Sequence, residues 1–147
     1  MKLVLLLPFL AAGLSFSAAP DPNAVANRAF GGLQPRVSPD GSTVAVSYQG
    51  ASCTLPVDGG VLTRLSRGEG WDTEPAWTPD GAGIVFFGGP GFGGGTLQMM
   101  AVENAVPIKL PRPARGSGSL WVHPDGARIL GKFSMAEGGQ ALAWYDL

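Results

Sequence analysis

The stretch Glu74-Pro75-Ala76-Trp77-Thr78-Pro79-Asp80-Gly81, followed at once by Ile84-Val85-Phe86-Phe87, decides how the rest of the chain is read. Proline presets φ near −65°, aspartate bonds back to nearby backbone N–H groups, and glycine takes the φ > 0 position that a side chain resists. With β-formers on both sides, the stretch reads as strand, tight turn, strand. The same turn occurs at Ser38-Pro39-Asp40-Gly41, before Thr43–Tyr48, and at His123-Pro124-Asp125-Gly126, before Arg128–Phe133. The three glycines, Gly41, Gly81 and Gly126, stand 40 and 45 residues apart.

Laid over one another, the repeats give strands at 34–38, 74–78 and 119–123 entering each turn, and at 43–48, 84–87 and 128–133 leaving it. Third strands follow at 52–57, 96–102 and 141–145, with fourth strands at 61–65 and 107–110. Asp58-Gly59-Gly60 makes the turn between the third and fourth strands of the first repeat. Four antiparallel strands at this period form one blade of a β-propeller. The expected fold is therefore all-β: antiparallel four-stranded blades of an incomplete propeller, about three blades, over 30–67, 68–112 and 113–147. A blade buries its faces only against its neighbours, so the chain reads as part of a propeller that either self-associates or belongs to something longer.

Composition bounds the rest. Of 147 residues, 45% are apolar and 14% charged, and Gly (23) plus Pro (13) fit many turns and few long helices. A net charge of −1 argues against a nucleic-acid surface, which needs clustered Lys and Arg. Lys109, Arg112 and Arg115, scattered over a Pro-rich connector, read as solvated loop charge. Met1-Lys2, the apolar run Leu3–Phe16 and the small residues Ser17-Ala18-Ala19 have the layout of a secretory signal peptide over 1–19, with a mobile lead-in over 20–29. The mature protein is expected to be periplasmic or secreted and free of the membrane. With no cysteine at the signal exit, lipid attachment is not indicated. Cys53, the lone cysteine, fits a small buried hydrophobe.

The repeats resemble the WD40-like propeller repeats of the TolB type. The resemblance rests on the Pro-Xaa-aromatic-Ser/Thr-Pro-Asp-Gly turn, the Ile-Val-Phe second strand and a third strand ending in Asp-Gly-Gly. Thr54–Gly60, Thr63–Ser66 and Trp71–Pro75 are most like the propeller placed N-terminally in exported amidohydrolase-like proteins. The third repeat departs from the pattern, with Leu120 for proline and His123 for Ser or Thr. An amidohydrolase metal site needs several His and carboxylate ligands, and this chain has one histidine. The resemblance thus implies a propeller without the family's catalytic part.

Candidate chemistry is sparse. Gly89-Pro90-Gly91-Phe92-Gly93-Gly94 satisfies G-x-G-x-x-G, but Pro90 and the repeat alignment make 88–95 a loop between strands rather than a dinucleotide site. His123 fits a hydrogen bond at the turn shoulder. Asp40, Asp80 and Asp125 fit backbone capping, with Pro39, Pro79 and Pro124 as their structural partners. Trp77, Trp121 and Trp144 fit packing between blades. Trp71, Asp72 and Glu74, in the connector between the first two blades, are the expected ligand-facing rim. No catalytic residue, metal or cofactor is expected. The function these readings favour is an exported, non-catalytic propeller module that binds a protein partner or a second copy of itself. The alternative is the N-terminal propeller of an exported amidohydrolase or peptidase whose catalytic domain is not in this chain.

Overall fold

A computed structural model describes residues 32–67 and 70–147. The expected signal peptide and lead-in lie outside the described residues. Among the described residues every regular element is a strand: β1 Leu33–Val37, β2 Thr43–Tyr48, β3 Ala51–Pro56, β4 Thr63–Arg64, β5 Trp71–Trp77, β6 Gly83–Gly89, β7 Gly94–Ala101, β8 Arg115–Val122, β9 Arg128–Ser134 and β10 Gln140–Asp146. The chain is an incomplete β-propeller of about three blades: β1–β4, then β5–β7, then β8–β10.

Each blade starts on the turn that the sequence marks. Gly41 N–H donates to Ser38 O at 2.9 Å, Gly81 N–H to Thr78 O at 2.9 Å, and Gly126 N–H to His123 O at 2.8 Å. All three glycines have φ between 71° and 77°, which a Cβ would penalise. The aspartates hold the turns from inside: Oδ1 of Asp40, Asp80 and Asp125 accepts the N–H of Ser42, Ala82 and Ala127, respectively.

Pairing fixes which side chains meet. Along β2, Ala45 and Ser47 face the second blade, while Val44, Val46 and Tyr48 face away from it with Ala51, Cys53 and Leu55. Along β6 the pattern repeats. Ile84 and Phe86 face back onto the first blade, and Val85 and Phe87 face forward onto the third. Three clusters follow, two between blades and one, Val46, Ala51 and Cys53, on the back of the first blade. Cys53 is buried there, as its apolar position implies.

Three details differ from the sequence reading. The fourth strand expected at 107–110 is a single bridge, Met100 with Pro107, carried by Ile108 N–H to Met99 O at 2.8 Å. Two prolines, Pro107 and Pro111, remove donors that a longer ladder needs. The start of β8 instead pairs with β7, Arg115–Ser117 against Gly94–Thr96, so β5 to β10 run as one six-stranded sheet. The glycine stretch 88–95 is also mostly strand: β6 ends at Gly89 and β7 begins at Gly94, leaving four residues to turn. β7 is the strand that the repeat alignment requires, and the G-x-G-x-x-G run joins two antiparallel strands rather than opening a helix.

Candidate functional site

Each first strand carries a bulge, and the bulges aim the polar groups nearest the centre of the fan. Register shifts fall between Leu33 and Arg36, between Thr73 and Ala76, and between Ser117 and Trp121. Gln34 and Glu74 take φ of 54° and 57° there, and the third repeat uses Gly118 at 73°. A positive φ is costly for a residue with a side chain, and here hydrogen bonds offset it. Gln34 Nε2 donates to Glu74 Oε1 at 2.7 Å, Glu74 N–H donates to Gln34 Oε1 at 2.8 Å, and Ser119 Oγ donates to Glu74 Oε2 at 3.0 Å. Arg36 Nη2 adds an ion pair at 3.6 Å. Glu74 therefore ties three consecutive blades through repeat-equivalent positions.

Asp72 points elsewhere. It is 7% exposed, and its carboxylate lies in the junction between the first two blades. Ser66 Oγ donates to Asp72 Oδ2 and accepts Ser52 N–H at 2.9 Å, while Ser47 Oγ donates to the Asp72 backbone carbonyl. Burial pushes the Asp72 carboxyl above the usual aspartate range, against the pull of the Ser66 and Ser52 hydrogen bonds and the Arg64 charge. Beside it opens a cavity of about 600 Å³, walled by Leu65, Ser66 and Arg67 on one side and by Gly88, Gln98 and Met100 on the other. Gly88 is the floor. A Cβ there would lie 2.3 Å from Gln98 Nε2 and 2.9 Å from Asp72 Oδ1, so the carboxamide and the carboxylate converge over one glycine.

Trp71, the third of the expected rim residues, stacks edge-on against Phe92 of the β6–β7 turn at 5.6 Å. The structure thus gives the three residues separate settings. Trp71 meets the hairpin turn, Asp72 the inter-blade cavity and Glu74 the central hydrogen-bond chain. Sequence reasoning passed over Gln98, whose only signal was its place in a strand that also carries core residues, and Ser66, which follows β4 in the connector.

The remaining candidates sit in structural roles. His123 Nδ1 lies 3.2 Å from Asp125 N and 2.9 Å from Asp125 Oδ1, at the shoulder of its turn. Hydrogen bonds from Ser38 and Ser42 hold the Asp40 carboxyl down at about 2. The hydroxyl of Thr78 lowers the Asp80 carboxyl below the usual aspartate range, and the N–H of Ala127 lowers that of Asp125. Arg112 covers the Tyr145 ring at 4.6 Å, and Tyr145 Oη donates to Arg112 O at 2.5 Å. Trp77 packs between the first two blades and donates to Arg36 O at 2.8 Å.

Trp121 and Trp144 do not follow Trp77. They lie on the forward face of the third blade, 53% and 46% exposed, with Leu142 at 68%. Their repeat equivalents on the first two blades face a following blade; among the described residues nothing covers these. Arg128, paired with Asp125 at 3.4 Å, lies over the Trp144 ring at 5.1 Å, and His123 meets the ring edge at 5.6 Å, so polar groups border the aromatic patch.

No protein-family model and no curated protein matches the chain. Solved structures do. A protein assigned as TolB from Agrobacterium tumefaciens superposes with a TM-score of 0.59 at 21% identity, over 80% of this chain and 47% of that one. TolB from Acinetobacter baumannii gives 0.63 at 20% identity, over 78% and 29%. Hydrazine synthase from Kuenenia stuttgartiensis gives 0.54 at 17% identity, over 79% and 32%. At these identities the likeness is one of fold. The chain spans less than half the length of each of these structures.

Proposed function

We propose that the chain is an exported, non-catalytic β-propeller module that works by holding a protein surface. The observation that carries this reading is the forward face of the third blade, where Trp121, Leu142 and Trp144 stand exposed on a sheet whose two equivalents bury theirs. Clustered tryptophans beside an arginine are the composition of contact hot spots rather than of a solvated face. Export rests on the signal-like layout of residues 1–19. Among the described residues no helix is long and apolar enough to cross a membrane.

A second copy is the partner to test first, because every packed face in this fold packs against its own repeat. The test is the solution mass of the mature chain by light scattering across a concentration series, with a thermal melt on each sample. A discrete mass of twice the monomer with a cooperative melt, reverting to the monomer in Leu142→Glu and Trp144→Glu, supports the reading. A chain that stays monomeric with the face intact, or that grows without a discrete mass, overturns self-pairing. Turnover of ester or peptide substrates would overturn the non-catalytic assignment.

A second reading is favoured by the Thr54–Gly60 and Trp71–Pro75 motifs together with the partial coverage of the two TolB structures. In it the chain is the N-terminal propeller of an exported amidohydrolase or peptidase. A reading frame that continues past Leu147 into His- and Asp-rich metal motifs supports it, and a stop codon there overturns it.

A further inference from the structure

The cavity between the first two blades is a second feature, on a different junction from the open face, and it does not rest on that face. We infer that it receives a cationic side chain on an apolar stem, a lysine or arginine of a bound peptide, with Asp72 as the counter-charge. Two observations carry this. The walls offer Leu65 and Met100, both almost fully buried, on opposite sides of the gap, which suits the methylene stem of such a side chain. At Gly88 the Asp72 carboxylate oxygen Oδ1 reaches the cavity beside Gln98 Nε2, so the carboxylate is the acceptor where the charged tip would end.

The charge balance points the same way. The hydrogen bonds that reach Asp72 come from neutral groups, the Ser66 hydroxyl and the Ser52 amide, while Arg64 acts on it through its charge. A buried carboxylate held by neutral donors is costly, and a cation brought into the cavity lowers that cost. Glycine at 88 keeps the space, since a Cβ would collide with both polar groups. Arg67, which is exposed and has a contact of its own, also lines the cavity and opposes a cation. Arg67 therefore separates this inference from its opposite, an acidic ligand held by Arg67.

The test titrates Nα-acetyl-lysine methylamide into the full chain, with Nα-acetyl-norleucine methylamide as the uncharged analogue that keeps the four-carbon stem, and follows the amide resonances of Ser66, Gly88 and Gly89. The lysine probe is expected to shift these resonances and the norleucine probe to leave them. Asp72→Asn, which keeps an acceptor for Ser66, should weaken the lysine probe about fivefold or more, as loss of a charge-assisted bond does. Gln98→Leu, an exposed position that does not threaten folding, removes a donor and no charge and should leave the probe's affinity within about twofold. Arg67→Gln should tighten it, and Trp121→Glu should leave it unchanged. Equal binding of the two probes, full affinity in Asp72→Asn, a larger loss in Gln98→Leu than in Asp72→Asn, or weakening in Arg67→Gln each overturns the inference. So does the absence of any shift at the solubility limit of the probe.

Discussion

The two junctions of this propeller are built from different materials. Between the second and third blades, Phe87 and Leu97 face Leu120, Ile129, Phe133 and Tyr145, and both sides of the contact are apolar. Phe133 lies 6.0 Å from Phe87 and 6.1 Å from Tyr145, which places three rings in one contact. Between the first and second blades only one side is strongly apolar. Ile84, Phe86 and Met100 come from the second blade, whereas the first offers Ala45 and Leu65 amid Ser47, Ser52 and Thr54, all buried. That side is tied instead by Asp72, Ser66 and Ser47. The difference teaches that one repeat can close its junctions either by area or by directed hydrogen bonds. The first route tolerates small shifts, and the second loses a whole network with one atom.

The sharpest way to test that contrast is to remove one large group from the apolar junction. Phe87 is fully buried, so Phe87→Ala is expected to cost about 3–5 kcal/mol, read from chemical denaturation. On the polar side, Ser66→Ala removes the hydroxyl that donates to the Asp72 carboxylate and accepts the Ser52 amide, and about 1–3 kcal/mol is expected by the same measurement. If the serine costs as much as the phenylalanine, the contrast fails.

The third test uses pH. The Asp72 carboxyl is raised above its ordinary 3.8, so between 3.8 and that higher value the fold holds a proton that the unfolded chain has lost. Stability must therefore fall as pH rises through that window. Asp40 runs the other way. With its carboxyl held near 2, its stabilisation is present above 3.8 and is lost as pH falls toward 2. Melting temperature against pH should show a rising limb and then a falling one, and Asp72→Asn should flatten only the falling limb. The smallest effect is expected at Ser52, whose buried hydroxyl lacks a hydrogen-bond partner among the described residues. Ser52→Ala should leave stability unchanged or raise it by about 1 kcal/mol.

The parts of this molecule legible in the sequence are those written locally. The Pro-Asp-Gly turns, the strands flanking them and the alternation of Ile84, Val85, Phe86 and Phe87 need only near neighbours, and blades follow from their spacing. The candidate site was less legible because it depends on which face a residue takes. Asp72 and Glu74 are two apart, yet the bulge between Thr73 and Ala76 resets the register, so one goes into a junction and the other to the centre. Likewise Trp77 and Trp121 look alike in their strands. One meets a neighbouring blade and the other faces out, a fact carried by pairing across the sheet rather than by composition.

The bulged first strands also bear on the geometry of assembly. Gln34, Glu74 and Ser119 gauge the blade spacing at the inner rim by hydrogen-bond lengths of 2.7 to 3.0 Å, which hardly vary. Farther out, the gap is gauged by side-chain volume, small where alanine and serine face the second blade and large where phenylalanine faces the third. A fixed inner rim with an adjustable outer one is a wedge. The angle between blades, and with it the number needed to complete a circle, becomes a quantity that outer-face residues such as Ala45 and Ser47 can tune without disturbing the hub.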